Sequence, residues 1–509
     1  MAGGKFYITT AIDYPNALPH IGTAYEKIGA DVVARYKAFC GLDSYFVMGT
    51  DEHSANVEKA AVEKGVSPQE FTDEVAPKFV EAWKSLEIGY TCFVRSSSGR
   101  HAKSVQDIFR KIYEKGDIYE GFYEGWYCNS CERFFQEKDL QEKVCPTHNT
   151  LLEWVKEKNY ILALSKYADP ILEHIRENPG FIEPESRRNE IVSLIESGLE
   201  DISVSRVGKK WGIPLPFDNS QTVYVWFDAL ICYLTGIGYS DDADTFGRYW
   251  PADVHVIGKD ITRFHCVIWP AMLMSAEIPL PKKIWAHGFV HLEGQKLSKS
   301  ANVMVDPVEA AKKYGADALR YFLMREIPFD RDGNFSWEKF EERYAADLAN
   351  DLGNLVNRVI AMIGRYCEGK VPEASEPEPI DRDVIDLAMK TVEGVGTAID
   401  EFKLSAALTE LWGFIRRCNR YVEETAPWKV RKEGPAERLN TILYVLAEAV
   451  RIIGGLVLPF MPRTAERIWE QLGLQAEFPR LRKEALERWG GLPPGTQVGK
   501  AEPIFPKMT

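Results

Sequence analysis

KFYITTAIDYPNALPHIGTAYEKIGADVVARYKAFCGLDSYFVMGT, residues 5–50, decides how the chain is read. Lys5-Phe6-Tyr7-Ile8-Thr9 is rich in aromatic and β-branched side chains, and Tyr45-Phe46-Val47-Met48-Gly49-Thr50 repeats that texture, so both predict short strands. Between them Ile28, Val32, Tyr36 and Phe39 fall at helical spacing within Tyr25 to Phe39. Strand, helix and strand in this order form a βαβ unit, the opening of an α/β domain built on a parallel sheet. The Pro/Asn-rich connection through Pro19 runs straight into the helix. It therefore presents backbone N–H groups and the positive end of a helix dipole, a seat for phosphate with His20 beside it. Gly22 lacks the Cβ that would hold an adenine or ribose away from the backbone. Taken alone, His20-Ile21-Gly22-Thr23 also fits a capped loop with a surface histidine.

Working outward, 509 residues exceed what one core supports and predict about three domains, or one large domain with insertions. An apolar fraction of 45% with 12% aromatics suits a packed chain and excludes disorder. The N-terminus lacks an apolar signal core, and the longest apolar run, Ile452 to Met461, is broken by Gly454, Gly455 and Pro459. No membrane association is expected, and the chain is read as cytoplasmic. A net charge of −13 argues against nucleic acid binding over the whole surface and leaves room for a local basic patch.

Strand signals return at Val223–Phe227, His255–Ile257 and Ile284–Ala286, so the sheet is interrupted by the charged, cysteine-bearing segment 117–221. After residue 335 they fade. Leu404, Ala407, Leu408, Leu411, Phe414, Ile415 and Cys418 step by three and four, as do Ile442, Leu443, Leu446, Ala449, Val450 and Ile453, which predicts two amphipathic helices of a bundle. The Pro/Glu-rich Val371–Pro379 reads as an exposed connection, and Gly490–Thr509 as an extended strap over the surface.

Two further stretches carry chemistry. Lys296-Leu297-Ser298-Lys299-Ser300 places two lysines and two serines in one short loop after a strand, a doubly cationic donor cluster suited to a triphosphate; a solvated basic turn is the plainer reading. Cys128-Asn129-Ser130-Cys131 is followed, thirteen residues on, by Cys145-Pro146-Thr147-His148. Cys128, Cys131, Cys145 and His148 can present three thiolates and one imidazole as a tetrahedron, the composition of a closed structural Zn2+ site whose loss should unfold the insertion. Cys40, Cys92, Cys232, Cys266, Cys367 and Cys418 are read as reduced packing residues.

His20-Ile21-Gly22-Thr23 and Lys296-Leu297-Ser298-Lys299-Ser300, in this order around an α/β region, resemble the class I aminoacyl-tRNA synthetase signatures His-Ile-Gly-His and Lys-Met-Ser-Lys-Ser. Thr9–Tyr14, Gly49–His53, Val225–Ala229, Ile257–Asp260 and Ala286–Val290 are similar to the methionyl branch of that family, and the likeness runs over residues 5–480. It implies a Rossmann-like parallel-sheet catalytic domain (1–116 and 222–290) with an inserted zinc-knuckle module (117–221), a KLSKS loop and stem-contact region (291–350), and a C-terminal α-helical anticodon-binding bundle with a tail (351–509).

The same resemblance implies partners and residues. Ala11, Ile12, Tyr14, Trp226, Ala229, Tyr233 and His287 would wall a methionine pocket, with Asp51 on the ammonium group. That suits a long, polarizable thioether, which aromatic faces and one charged anchor select. His20, Gly22, Thr23, Gly258, Asp260, Lys296 and Lys299 would hold ATP, with Mg2+ bridging its phosphates; of these His20, Thr23, Lys296 and Lys299 are the catalytic set. Asn354, Arg358 and Trp428 would read the anticodon of tRNA(Met), amid the local positive charge of Arg416, Arg417, Arg420, Lys429, Arg431 and Lys432. Thr23 stands where the family motif usually has a second histidine. It donates a hydrogen bond and carries no charge, so Lys27 is expected to share the phosphate contact. The likeness ends without the extension through which some members dimerise, and a monomer is expected.

Other enzyme and binding classes would leave different marks on the sequence. A class I synthetase for a branched aliphatic amino acid would need a larger editing insertion, and the cysteine enzyme a metal in its substrate pocket. A tRNA-independent adenylate-forming ligase would lack the bundle with Asn354, Arg358 and Trp428. A non-catalytic zinc-knuckle RNA-binding protein would have no use for Lys296, Lys299 and Asp51 around a sheet.

Overall fold

The computed structural model describes residues 4–128, 133–135, 140, 143–145, 150–292, 295–296 and 305–506. β1 (Lys5–Thr10) leads through α1 (Ile21–Phe39) into β2 (Asp43–Thr50), and a second crossover brings β3 (Cys92–Arg95) beside β2. After α2 (Gly99–Glu114) come β4 (Ile118–Cys128), β5 (Arg133–Phe135) and β6 (Glu153–Leu162), which pair antiparallel. Then follow β7 (Ile182–Glu183), β8 (Ile202–Ser203), β9 (Ser205–Val207), β10 (Gln221–Val223), α3 (Val225–Thr235), β11 (Val254–Gly258) and β12 (Ile284–His287). β13 (Val290–Leu292), β14 (Gln295–Lys296) and, beyond α4 (Ala316–Glu326), β15 (Gly333–Phe335) make a small sheet. The bundle is built chiefly from α5 (Asn354–Tyr366), α6 (Pro379–Asp400), α7 (Leu404–Thr425), α8 (Pro427–Glu433), α9 (Ala436–Leu456) and α10 (Pro462–Gln471).

The main sheet has the order β3-β2-β1-β11-β12-β7, with every neighbouring pair parallel. Its central strands are apolar on both faces because helices cover both. Ile8, Phe46 and Val256 belong to one core with α1, α4 and the bundle, whereas Tyr7, Val47 and Ile257 pack with α2 and α3 on the other side. α1 comes so close to the residues after α4 that a Cβ on Gly29 would lie 2.3 Å from the ring of Phe329.

Three expectations need correction. Val223–Phe227 is not one strand: β10 stops at Val223 and α3 starts at Val225. A short run of bulky apolar residues fits a buried helix as well as a strand, and periodicity alone does not separate them. The sheet is not interrupted throughout 117–221, since Ile182–Glu183 joins it beside β12. Lys296 lies in a strand rather than a loop, with its backbone paired to His291 of β13.

The predicted bundle helices form as α7 and α9. α9 is the one described helix long and apolar enough to cross a membrane, and 94% of its most apolar stretch is buried within the fold. The C-terminal segment lies extended across the bundle: the Val371 amide donates to Thr496 O at 2.9 Å, Gly495 to Val371 O at 2.7 Å, and Val498 to Gly369 O at 2.8 Å. Val371, at the head of the connection predicted to be exposed, is thereby buried.

Candidate active site

A parallel sheet opens a crevice at the carboxyl ends of its strands where the connections diverge to opposite sides. Here that point lies between β1 and β11, since the chain leaves β1 for β2 on one side and β11 for β12 on the other. Ala11, Ile12 and Tyr14 follow β1, Asp51 follows β2, Gly258 and Asp260 stand at the end of β11, and His287 ends β12. Backbone bonds draw the first two groups together: Asp13 N donates to Gly49 O at 3.0 Å and Asp51 N to Asp13 O at 2.8 Å.

Asp51 is buried, on a segment tied from every side. Thr50 Oγ1 donates to Glu52 Oε1 at 2.7 Å, Arg95 Nε to the same atom at 2.8 Å, and Trp211 Nε1 to Glu52 O at 2.6 Å. His53 Nδ1 lies 2.6 Å from Asp228 Oδ2, and His101 Nε2 lies 2.6 Å from Asp228 Oδ1. Burial would push the Asp228 carboxyl up, but His53 and His101 hold it below the usual carboxylate range. The segment that presents Asp51 is thus fixed before any ligand arrives.

Trp226, Ala229 and Tyr233 fall at i, i+3 and i+7 of α3 and share one face. The Trp226 ring lies 6.0 Å from Phe264, and both pack with Ile12 on the same core. Deeper, Tyr233 Oη is 2.7 Å from His265 Nε2, while His265 Nδ1 is 3.1 Å from Ile261 O. The carbonyl fixes the proton on Nδ1, so Nε2 accepts from the tyrosine. Burial pulls His265 down to about 4 and His255, whose ring centre lies 4.5 Å from that of Tyr233 in a tilted arrangement, well below the ordinary histidine range. The surroundings of Tyr233 are therefore aromatic, polarizable and uncharged at neutral pH. His265, His101 and Asp228 belong to no motif of the sequence that names a role for them. Their signal was a lone polar residue in an apolar run, as Asp228 stands within Val225–Leu234, which must find a buried partner.

At the N-terminus of α1 the imidazole itself is the cap. His20 Nδ1 accepts from the amides of Gly22 at 3.1 Å and Thr23 at 3.3 Å, while Thr23 Oγ1 accepts from His20 N at 3.0 Å and donates to His20 O at 2.7 Å. Ile21 N donates to Val305 O at 3.1 Å. The expected seat of bare amides is therefore corrected: these donors are engaged within the protein, and the ring stands in front of them. The Thr23 hydroxyl hydrogen is spent inside the cap. Lys27 does not share a phosphate contact either. It is fully buried, donating to Ala11 O at 2.8 Å, Glu26 Oε1 at 2.6 Å and Asp13 Oδ1 at 3.1 Å. Burial pulls its pKa down, but Asp13 and Glu26 more than offset this and hold it raised. Glu26 Oε2 reaches His287 Nε2 at 3.0 Å, which ties β12 to α1 beneath the crevice.

Other predicted residues lie apart. On the bundle, Asn354 and Arg358 share a face of α5, and the Arg358 guanidinium lies 5.8 Å from the Trp428 ring centre while pairing with Glu423 at 2.7 Å. Pro427 at the first position of α8 presents Trp428 half-buried. Cys128 and Cys145 are buried in one small core with Phe135 and Leu152. Cys131, His148, Lys299 and the Lys296 side chain lie outside the described residues, among which no group of three His, Cys, Asp or Glu could hold a metal.

Comparisons with known proteins fit this geometry. Residues 6–151 and 137–360 match the family described as tRNA synthetases class I (M), and residues 371–509 match the anticodon binding domain of methionyl tRNA ligase. A methionine–tRNA ligase of Caldanaerobacter subterraneus subsp. tengcongensis is 47% identical over 505 residues, covering 99% of this chain and 79% of the relative. One from Thermotoga maritima is 46% identical over 508 residues, covering 99% and 80%. Among solved structures, Mycobacterium tuberculosis methionyl-tRNA synthetase in complex with methionyl-adenylate superposes with a TM-score of 0.95 at 41% identity, over 99% of this chain and 100% of that one.

Proposed function

The chain belongs to the methionyl-tRNA synthetases of class I, and from that premise we infer how its own residues carry the reaction. It ligates methionine to tRNA(Met) at the expense of ATP, through a methionyl-adenylate, and releases AMP and pyrophosphate. The methionine carboxylate is already a nucleophile, so the first step needs placement and charge neutralisation rather than a protein base.

Asp51 takes the ammonium group, and Ile12, Ala229, Trp226 and Tyr233 enclose the thioether, with Ala11, Tyr14 and His287 completing the walls. His20, Gly22, Thr23, Gly258 and Asp260 receive ATP at the switch point. Thr23 acts there through the cap that aims His20. Lys296 and Lys299 neutralise the departing phosphates. The observation that supports this reading is the bond from Ile21 N to Val305 O, at 3.1 Å, which seats a residue five positions after Ser300 beside the His20 cap, as a cradle shared by both signatures requires. Mg2+ comes with the ATP phosphates and offsets their charge. The buried pair Cys128 and Cys145 suits a thiolate-rich structural Zn2+ completed by Cys131 and His148. Asn354, Arg358 and Trp428 read the anticodon, and the chain works as a cytoplasmic monomer.

ATP–pyrophosphate exchange with each amino acid in turn tests this directly. Methionine should drive exchange and Lys299→Ala should abolish most of it. Faster exchange with leucine or cysteine would reject the pocket assignment, and full activity in Lys299→Ala would remove that lysine from the mechanism.

A further inference from the structure

Arg320 of α4 is fully buried, and its guanidinium joins three parts of the chain distant in sequence. Nη2 donates to Asp31 Oδ2 of α1 at 2.6 Å and to Pro459 O at 3.0 Å, and Nε donates to Phe460 O at 2.7 Å. Nη1 reaches the carbonyls of Leu86 and Glu87 at 3.3 and 3.4 Å. Asp31 and the Leu86–Glu87 turn flank the catalytic sheet, whereas Pro459 and Phe460 form the turn between α9 and α10 of the bundle. Asp31 is itself held, accepting from Arg35 Nε and from the Gly89 amide, each at 2.7 Å. Close by, Asp317 Oδ2 accepts the Thr464 amide at the start of α10 at 2.6 Å, and Arg463 pairs with Glu87.

Taking a guanidinium out of water is costly, and apolar packing holds two bodies together at least as well. What the planar fork adds is direction, because its donors accept only one relative placement of their partners. Methionine activation takes place wholly within the crevice. Transfer to tRNA instead requires the crevice and the bundle to grip two ends of one RNA at once, so a tilt at their junction is magnified along the length of the RNA. Resting on the reading that the chain charges tRNA(Met), we propose that Arg320 is a positioning residue that sets the angle between bundle and crevice, so that an anticodon read on the bundle delivers the acceptor end to the adenylate.

The test compares exchange with aminoacylation in two variants. Arg320→Lys keeps a charge beside Asp31 but cannot fork across both flanks, and Arg320→Met keeps most of the volume without the donors. Aminoacylation is measured with tRNA(Met) and with a tRNA carrying an altered anticodon. Methionine-dependent exchange should be unchanged in Arg320→Lys, while its kcat/KM for tRNA(Met) falls on the order of a hundredfold. That value should approach the one for the altered tRNA, which itself stays the same. Equal losses in exchange and aminoacylation across both variants would make Arg320 an ordinary fold residue and overturn the proposal, as would wild-type charging with undiminished anticodon preference. Absence of methionine-dependent exchange in the unaltered chain would instead defeat the activity reading, and the proposal with it; that control is read first.

Discussion

Asp51 sits at the end of β2 on a segment whose neighbours are locked, so a substitution there tests charge with little disturbance of shape. Asp51→Asn keeps the volume and removes the anion. A hydrogen bond to a charged group contributes about 1.5–3 kcal/mol, so the KM for methionine in pyrophosphate exchange should rise about tenfold to a hundredfold. An unchanged KM would place the ammonium group elsewhere. His265 makes a different prediction, about pH. Its pKa falls from the ordinary 6.5 to about 4 because it is buried. Between those values the unfolded chain binds the proton and the folded chain does not. Stability is therefore fully present above about 6.5 and declines as pH falls toward 4, by ~3 kcal/mol from this residue alone. Urea midpoints measured from pH 7 to pH 4.5 check the sign. His265→Gln, which keeps a polar group toward Tyr233, should flatten part of the slope. The stretch Gly49–His53 points to Asp51 in the sequence, but nothing there points to the tautomer of His265, because it depends on the Ile261 carbonyl meeting one ring nitrogen.

At the level of elements, the spacing of Ile28, Val32, Tyr36 and Phe39 announces α1, yet its first turn differs from what the sequence suggests. A Pro/Asn-rich loop before a helix suggested open amides, whereas His20 and Thr23 close that end reciprocally. No rule of spacing announces an imidazole as a cap, since serine, threonine, aspartate and asparagine are the usual ones. Thr23→Val should cost ~1 kcal/mol of stability, as loss of a capping side chain does. It should also lower the exchange rate by more than that stability loss explains, because the ring of His20 loses its orientation. Denaturant unfolding and exchange kinetics on the same preparation separate the two effects, and a variant with normal exchange would exclude the cap from catalysis. α3 shows the opposite lesson. Val225–Leu234 is apolar almost throughout, so sequence could not tell helix from strand, and only the fold places Trp226, Ala229 and Tyr233 on one face.

For the whole molecule, packing is continuous across residue 351. One continuous core runs from Ile8 and Phe46 of the sheet through α1 and α4 to Leu411, Leu446 and Ile468 of the bundle. Calorimetry should accordingly show sheet and bundle unfolding as one transition, and two well-separated transitions would contradict that continuity. The small core around Cys128, Phe135, Cys145 and Leu152 is separate from it. A strong chelator should release about one Zn2+ per chain and expose this region to proteases while leaving the main transition in place. Metal analysis that finds no zinc in the freshly purified chain would reject the knuckle.

The helix α1 runs through all three scales. Nineteen residues long, it spans about 28 Å as a single hydrogen-bonded rod, with His20 at its tip, Glu26 and Lys27 under the crevice and Asp31 at the grip of Arg320. Such a rod has no hinge between these points. The imidazole at its tip and the carboxylate partway along it, which meets Arg320, must travel as one piece.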